Sequence, residues 1–169
     1  MTVIAAKIYD GNIQMACDSM VTRGRHKKST GYPCKIIEGK DFILGFCGDA
    51  VILPLLTMYS KNHIIGNDGD ADRIVEWCSE FLEYVKKKTN EWKGSLKASL
   101  LLAHSSGLFL IEDWLPIKVD DWCATGSGYE HAESALYLGH TPVEAVDVAI
   151  NLAYGCGGKI TNKSITFNV

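Results

Sequence analysis

The arrangement of apolar segments along this chain restricts its fold more than any other feature of the sequence. The first two segments, VIAAKIY and NIQMACDS, are separated only by Asp10 and Gly11, a pair that favours the positive φ angles of a tight hairpin turn. The segment CKIIEGKDFILGFCGD repeats this plan, with a turn around residues 38–40. Because strands joined by tight turns pair antiparallel, the sequence predicts two hairpins at the start of the chain.

After the second hairpin the spacing of apolar residues becomes helical. Apolar side chains recur every three to four positions from Ile74 to Val85, which predicts an amphipathic helix. Three lysines at 86–88 suit the negative C-terminal end of that helix. The preceding segment AVILPLLTMYSKNH predicts another helix, with Pro54 near its first turn. This part of the chain is therefore expected to form a pair of helices.

The rest of the chain repeats the order of strands followed by helices. Residues 97–128 are typical of strands, with turns at SSG and near Pro116, and a helical pattern resumes at about Tyr129. The segment TPVE at 141–144 combines a threonine cap, a first-turn proline and a glutamate three residues after the cap, and SITFNV closes the chain as a strand. Residues 1–169 are thus expected to form a single α+β domain, a four-layer α-β-β-α sandwich of two antiparallel sheets.

Composition argues against several classes of function. A net charge of −3 and an isoelectric point near 5.9 give no basic face for nucleic acid, and the basic cluster RGRHKK at 23–28 is interpreted as a solvated loop. No apolar run reaches the roughly 18 residues that cross a bilayer, so no membrane is expected as a partner. Six cysteines with no C-x-x-C pair and no secretory leader favour a cytoplasmic location. The five histidines form no ligand pair typical of catalytic zinc.

Five motifs in a fixed order carry a resemblance to a known family. They are TVIAAK at the start, then ACDS, CKI, GFCGD and ATGSGYEHAESAL. With these motifs the chain resembles the β-type proteasome subunits, especially the bacterial HslV-type peptidases of the N-terminal nucleophile hydrolase superfamily. The correspondence extends from Thr2 to ITN at 160–162, which is essentially the whole chain.

The resemblance implies a catalytic site at the start of the chain. Once Met1 is removed, Thr2 would be the nucleophile, and its own α-amine would be the base. Asp18 and Lys35 would be the charged pair beside it. This assignment is chemically reasonable, because an α-amine has an ordinary pKa of about 7.7 to 8 and lies within a few bonds of the hydroxyl. A protonated Lys35 would favour the ionised hydroxyl, and Asp18 would hold the lysine in that state.

Further residues receive roles from the same resemblance. Gly48 would stabilise the oxyanion through its backbone N–H, and Ser127 would hydrogen-bond the terminal amine. From the local sequence alone, Ser127 is also expected to cap the helix that follows it. Gly155, Gly158 and Thr161 match positions at which HslV-type proteins hold a cation through backbone carbonyls, so Na⁺ is a candidate ion, although the chemistry itself requires no cofactor.

The resemblance also implies an assembly. The chain would form stacked rings with itself, enclose Thr2 in an internal chamber, and degrade unfolded proteins or peptides supplied by an ATP-dependent unfoldase. Trp92, Trp114 and Trp122 are predicted to anchor contacts between copies.

Two alternatives stay open at the level of sequence. If Met1 is retained, the amine is blocked, and the chain would be a non-catalytic ring or scaffold subunit. An amidase that acts on small amides would use the same nucleophile. The sequence also departs from the family pattern, because Val3 stands where HslV-type members carry a second threonine, and GCGGKITN lacks the aspartate that proteasome β subunits have near the terminal amine.

Overall fold

The computed structural model describes residues 2–23, 26–28, 34–50, 52–66, 70–89 and 97–166. The strands and helices alternate in blocks, as the apolar pattern predicts. In chain order they are β1 (Val3–Tyr9), β2 (Asn12–Asp18), β3 (Val21–Arg23), β4 (His26–Lys28), β5 (Ile36–Glu38), β6 (Phe42–Gly48), α1 (Ile52–Asn62), α2 (Ala71–Thr89), β7 (Ala98–His104), β8 (Gly107–Glu112), β9 (Leu115–Val119), β10 (Trp122–Gly126), α3 (Tyr129–Tyr137), α4 (Pro142–Leu152) and β11 (Ile160–Thr166).

Two antiparallel sheets form the centre of the molecule. One has the strand order β10-β1-β2-β11, and the other has the order β5-β6-β7-β8-β9. Buried residues of β1 and β2 pack against those of β6, β7 and β8 between the sheets. Helices α3 and α4 cover the outer face of the first sheet, and α1 and α2 cover the outer face of the second. The predicted α-β-β-α sandwich is confirmed.

Local signals in the sequence account for several elements. The first hairpin turns at Asp10 and Gly11, and Gly11 has a φ of +74°. Helix α4 begins at a capping box, in which the Thr141 hydroxyl accepts from the Glu144 backbone N–H and the Glu144 carboxylate accepts from the Thr141 backbone N–H. These patterns involve only neighbouring residues, so they can be recognised without knowledge of the tertiary structure.

The turn expected near Pro116 lies two residues before it. Asp113 and Trp114 form this turn, with φ angles of 48° and 67°. Pro116 lies within β9 and pairs with Ile111 of β8. Strand β9 is at the edge of its sheet, and an edge strand tolerates a residue that has no backbone N–H to donate.

Two further expectations need correction. The basic segment at 23–28 was expected to be a solvated loop, but β3 and β4 pair antiparallel across it, with Val21 opposite Lys28. The last strand begins at Ile160 rather than within SITFNV, because β11 pairs with the whole of β2. Residues 167–169 of that motif lie outside the described residues.

The tryptophans contact the chain's own core. Trp114 lies against Phe81 of α2, with ring centroids 5.5 Å apart, and Trp122 packs on the apolar cluster beneath α3 and α4. Trp92 lies outside the described residues. None of the helices in the described ranges combines the length and apolar character needed to cross a membrane.

A buried histidine joins the two hairpins of the second sheet. His104 is fully buried, and its Nδ1 accepts from the Ser106 backbone N–H at 3.1 Å. Its Nε2 lies 3.8 Å from the Asp41 carboxylate, which accepts hydrogen bonds from the backbone N–H groups of Ile65 and Gly66. Burial lowers the pKa of His104 and outweighs the opposing effect of Asp41.

We expect this burial to make stability depend on pH. The unfolded chain takes up a proton at His104 near its ordinary pKa of about 6.5, whereas the folded chain does so only at lower pH. The free energy of unfolding should therefore decrease as pH falls below about 6.5. Urea denaturation of the parent and of His104→Gln at two pH values checks this. An equal loss in both proteins at low pH would contradict the role of His104.

Candidate active site

A buried ion pair lies at the ends of β2 and of the segment that precedes β5. The Lys35 ammonium donates to Asp18 Oδ1 at 2.6 Å and to the Met20 carbonyl oxygen at 2.7 Å. Asp18 has no exposed surface, and Lys35 is 5% exposed. Removing two charges from water is costly, so a pair this deeply buried needs short, direct contacts of this kind. The predicted partnership of Asp18 and Lys35 is therefore present in the structure.

The Asp18 carboxylate is the centre of a wider hydrogen-bond network. Its Oδ1 also accepts from the Val3 backbone N–H at 3.0 Å. Its Oδ2 accepts from the backbone N–H groups of Met20 at 3.3 Å and of Gly157 at 3.1 Å. Four donors from separate parts of the chain thus converge on one carboxylate, and together they satisfy its negative charge. The network fixes the first residues of the chain beside the Lys35 ammonium.

Thr2 lies directly before β1 and is 7% exposed. Its backbone nitrogen donates to Ser127 Oγ at 3.1 Å, and Ser127 Oγ donates back to the Thr2 carbonyl oxygen at 3.2 Å. The Gly128 backbone N–H donates to the same carbonyl at 3.3 Å. The structure therefore brings Ser127 to the Thr2 nitrogen. It does not cap α3 with Ser127, because the N-cap residue is Gly128 and no side chain caps this helix.

The end of β6 approaches Thr2 closely. A Cβ atom at Gly126, which has a φ of +95°, would overlap with the Thr2 carbonyl oxygen and would lie 3.2 Å from Cys47 Sγ. Cys47, which precedes Gly48 in β6, therefore lies near Thr2. A Cβ atom at Gly48 would lie 2.9 Å from the Lys97 carbonyl oxygen, so this position also has no room for a side chain. Only glycine allows the backbone to come so near at both positions.

The three candidate cation residues lie around the connection from α4 to β11. Gly155 is buried, Gly158 has a φ of +83°, and Thr161 pairs with Cys17 of β2. The Gly157 N–H bonded to Asp18 lies in the same connection. The segment is thus attached to the Asp18 network at one point. In the described part of the chain, no group of three or more His, Cys, Asp or Glu side chains could hold a metal ion.

Several thiols lie close to the site. Burial raises the pKa of the Cys47 and Cys156 thiols above their ordinary value. A hydrogen bond with the Cys34 thiol, followed by burial, raises the pKa of Cys17. Buried thiols that hold their protons are poor nucleophiles, which agrees with the interpretation of Cys17 and Cys47 as packing residues. Cys34 is different, because it is exposed and its interaction with Cys17 lowers its pKa to about 6.

Sequence reasoning missed the backbone groups that complete the site. Val3, Met20 and Gly157 each contribute an N–H to Asp18, and Gly128 contributes one to Thr2. Every residue except proline has such a donor, so no residue type signals it. Only the pairing of β1 with β10, and of β2 with β11, brings these groups together.

The arrangement of the sheets and helices matches a known fold. Two stacked antiparallel sheets between two helix pairs, with the start of the chain entering the first sheet at a buried ion pair, are the fold of the N-terminal nucleophile hydrolases. The fold is the proteasome β type, in its HslV form.

The solved structures that support this fold match nearly the whole chain. BPH of Thiobacillus denitrificans in complex with epoxomicin has a TM-score of 0.85 and 21% sequence identity, covering 99% of this chain and 100% of that chain. BPH of the same organism in a further structure has a TM-score of 0.83 at 20% identity, covering 98% of each chain. Eukaryotic HslV from Trypanosoma brucei has a TM-score of 0.73 at 20% identity, covering 97% of this chain and 99% of that chain.

Structural similarity at 20–21% sequence identity establishes the fold. No family model matches the sequence, and no curated protein matches it either.

Proposed function

We propose that this protein, after removal of Met1, is a threonine-type endopeptidase subunit that uses Thr2 as its nucleophile. The observation that carries this proposal is the shared use of Asp18 Oδ1. This one oxygen accepts from the Val3 N–H and from the Lys35 ammonium, so the residue after Thr2 and the ammonium lie within two hydrogen bonds of each other. An N-terminal nucleophile needs a base within reach of its hydroxyl, and the amine of a first-position threonine supplies one.

The proposed reaction proceeds in two steps. The Thr2 amine takes the proton of the Thr2 hydroxyl while the oxygen attacks the peptide carbonyl, and the Gly48 N–H stabilises the resulting oxyanion. The proton passes to the leaving amine, the C–N bond breaks, and an ester with Thr2 remains. Water then attacks that ester, which releases the acid product and restores the hydroxyl. Ser127 orients the amine through the hydrogen bond to the Thr2 nitrogen.

Two forms of the same chain test the role of the amine. In one form Met1 is retained, and in the other a cleavable leader is removed so that Thr2 is the first residue. The two differ only in whether the Thr2 nitrogen is a peptide amide or an amine. We expect a fluorogenic peptide to be hydrolysed only by the form that begins at Thr2, with intact mass confirming each start. Equal hydrolysis by both forms would contradict the nucleophile assignment, and no hydrolysis by either form would favour the scaffold alternative.

Epoxomicin provides a second test, independent of the choice of peptide. It is the compound in complex with the Thiobacillus BPH. We propose that the form beginning at Thr2 gains one molecule of epoxomicin at Thr2, and that the form retaining Met1 does not. Intact mass and peptide mapping would locate the adduct, and an adduct at a cysteine instead of Thr2 would count against the proposed site.

We also propose that the subunits form two stacked rings with Thr2 facing an internal chamber, served by an ATP-driven unfoldase. The resemblance to HslV-type proteins is the basis for the rings and the partner. Large apolar side chains at the C-terminal ends of α3 and α4 support contacts between copies, because each is more than 60% exposed; they are Tyr137, Leu138, Leu152 and Tyr154. Exposed aromatic and aliphatic groups of this kind are enriched at protein interfaces.

Native mass spectrometry tests the assembly. The parent is expected as a closed species of about a dozen chains, with cyclic contacts that repeat head to tail. Replacing Tyr137 and Tyr154 by serine should shift the population towards smaller species, whereas replacing the exposed Lys61 by serine should not. A monomer with full peptidase activity would contradict the chamber and favour the small-amide amidase.

The sodium site at Gly155, Gly158 and Thr161 stays a prediction. Neutral carbonyl oxygens suit a hard cation of low charge. Such an ion would hold the connection between α4 and β11, and through Gly157 it would support the position of Asp18. Comparison of thermal stability in sodium and in a bulky organic cation at equal ionic strength would detect it.

A further inference from the structure

An open cleft of about 550 Å³ lies across three neighbouring strands of the second sheet, β6, β7 and β8. Its lining residues are Cys47, Lys97, Ala98, Ser99, Glu112 and Asp113. Cys47 pairs with Ser99, and Ser99 pairs with Glu112, so the cleft crosses the sheet at one level. Neighbouring strands are about 4.8 Å apart, which places the backbone of Glu112 about 10 Å from that of Cys47.

One end of this cleft adjoins the candidate active site. A Cβ atom at Gly126 would overlap with the Thr2 carbonyl oxygen and would lie 3.2 Å from Cys47 Sγ, so Cys47 belongs to the surroundings of Thr2 as well as to the cleft. The backbone carbonyl oxygen of Lys97 lies close to Gly48, the residue expected to bind the oxyanion. A peptide bond held between Thr2 and the Gly48 N–H would therefore have the cleft beside it.

The other end of the cleft is acidic. Glu112 and Asp113 are exposed, and within the described ranges neither carboxylate takes part in an ion pair. The Ser99 hydroxyl accepts from the Thr125 hydroxyl at 2.8 Å and donates to Glu112 Oε1 at 3.4 Å, which orients this carboxylate. Lys97 contributes one ammonium to the lining, so the two carboxylates leave the cleft with a net negative charge.

The surface between the two ends is weakly polar. It is formed by the half-buried side chains of Cys47 and Ala98, and burial raises the pKa of the Cys47 thiol, which keeps this sulfur uncharged. Lysine and arginine side chains combine an aliphatic stem with a cationic head. The stem would contact Cys47 and Ala98 while the head reached the carboxylates of Glu112 and Asp113, whereas an acidic side chain would be repelled there.

We propose that this cleft binds a basic side chain of the substrate, so that the protein cleaves peptides that carry arginine or lysine close to the cleaved bond. The inference rests on the peptidase function proposed above and names its substrate class. The continuity of the cleft from the surroundings of Thr2 to two carboxylates without ion pairs carries it. An extended peptide advances about 3.3 Å per residue, so a cleft about 10 Å across selects a basic residue within about three positions of the bond.

Pairs of internally quenched peptides test this selection on the form that begins at Thr2. The two peptides of a pair differ at one position, which holds arginine in one and glutamine in the other, and successive pairs place it at each of three positions on either side of the cleaved bond. Mass spectrometry of the products confirms which bond is cut. We expect kcat/KM to be about tenfold higher for the arginine peptide at one or more positions, as for a hydrogen bond between charged groups.

A double variant, Glu112→Gln with Asp113→Asn, locates the preference in the cleft. Both substitutions remove the charge and keep the shape, and asparagine tolerates the φ of 48° found at Asp113. The ratio of kcat/KM between the arginine and glutamine peptides should fall to about one, since the head of the side chain loses its counter-charges. Asp147→Asn, which removes an exposed carboxylate from α4, is the matched control and should keep the ratio of the parent.

Binding of the same peptides to the Thr2→Ala form separates this inference from the peptidase function. Fluorescence anisotropy of labelled peptides should show tighter binding of the arginine peptide, and the Glu112→Gln, Asp113→Asn changes should remove the difference. Equal kcat/KM within every pair, equal binding within every pair, or a preference that survives in the double variant would overturn the inference. A parent that cleaves none of the peptides contradicts the peptidase function, and the binding measurement then decides whether the cleft selects a basic side chain.

Discussion

Replacing Thr2 by alanine in the form that begins at residue 2 will abolish peptide hydrolysis and leave the fold intact. The substitution removes the hydroxyl but keeps the backbone nitrogen that bonds to Ser127 and the carbonyl that accepts from Gly128. The contacts of Val3 with Asp18 are also untouched. Turnover of a fluorogenic peptide and the midpoint of urea unfolding should be measured on the same preparation. We expect turnover at the background level and little change in the midpoint.

Thr2→Ser is the matched control for this experiment. It keeps both the hydroxyl and the amine and loses only a methyl group, so measurable turnover should remain. Hydrolysis by Thr2→Ala at the parent rate would show that another residue is the nucleophile. Loss of the fold in Thr2→Ala, detected by circular dichroism, would instead give Thr2 a structural role that the hydrogen bonds do not predict.

Substitutions in the buried ion pair should separate stability from turnover. Asp18→Asn leaves the Lys35 ammonium buried without a counter-charge and places an amide NH₂ among backbone donors. Breaking a buried pair in this way costs about 3–5 kcal/mol. Lys35→Met should cost less, because the Asp18 carboxylate keeps three backbone N–H donors. Both variants should lose about a hundredfold or more in turnover, since Lys35→Met removes the ammonium and Asp18→Asn removes the carboxylate that orients it.

Urea denaturation and steady-state kinetics together check this prediction. The result that supports it is a large loss of turnover in Lys35→Met, together with a smaller loss of stability than in Asp18→Asn. Near-normal turnover in Lys35→Met would remove the ammonium from the mechanism. Equal destabilisation of both variants would mean that the backbone donors contribute little to holding the Asp18 carboxylate.

The sequence predicts the elements of this fold well where the determining contacts are local. The DG turn, the helical stripe from Ile74 to Val85 and the capping box at Thr141 each depend on residues within a few positions of one another. The turn at Asp113 and Trp114 was predicted only as a turn near Pro116, without its exact residues. Pro116 is the residue that indicates a turn in this part of the sequence, but Pro116 itself lies in a strand at the sheet edge, where proline is tolerated.

Only part of the site could be predicted, because its other contacts join residues that are far apart in the sequence. Thr2, Asp18 and Lys35 were identified through the family resemblance, and the structure brings Asp18 and Lys35 together at 2.6 Å. The expected cap by Ser127 was a sound local inference, but the contact with Thr2, which lies 125 positions away, is formed instead. The local pattern alone favoured the cap, whereas the family resemblance implied the hydrogen bond to the Thr2 nitrogen that the structure shows.

These contacts join residues that are far apart in the sequence, so the site can be arranged only late in synthesis. Ser127 is 125 positions from Thr2, and Gly157 is 139 positions from Asp18. A ribosome-bound chain that lacks its last strands and helices therefore has a first residue but no arranged site around it. Contacts between distant positions form late, because the intervening chain must first be ordered. The proposed peptidase activity would therefore arise only when almost all of the chain has folded, which would protect the nascent chain and its neighbours.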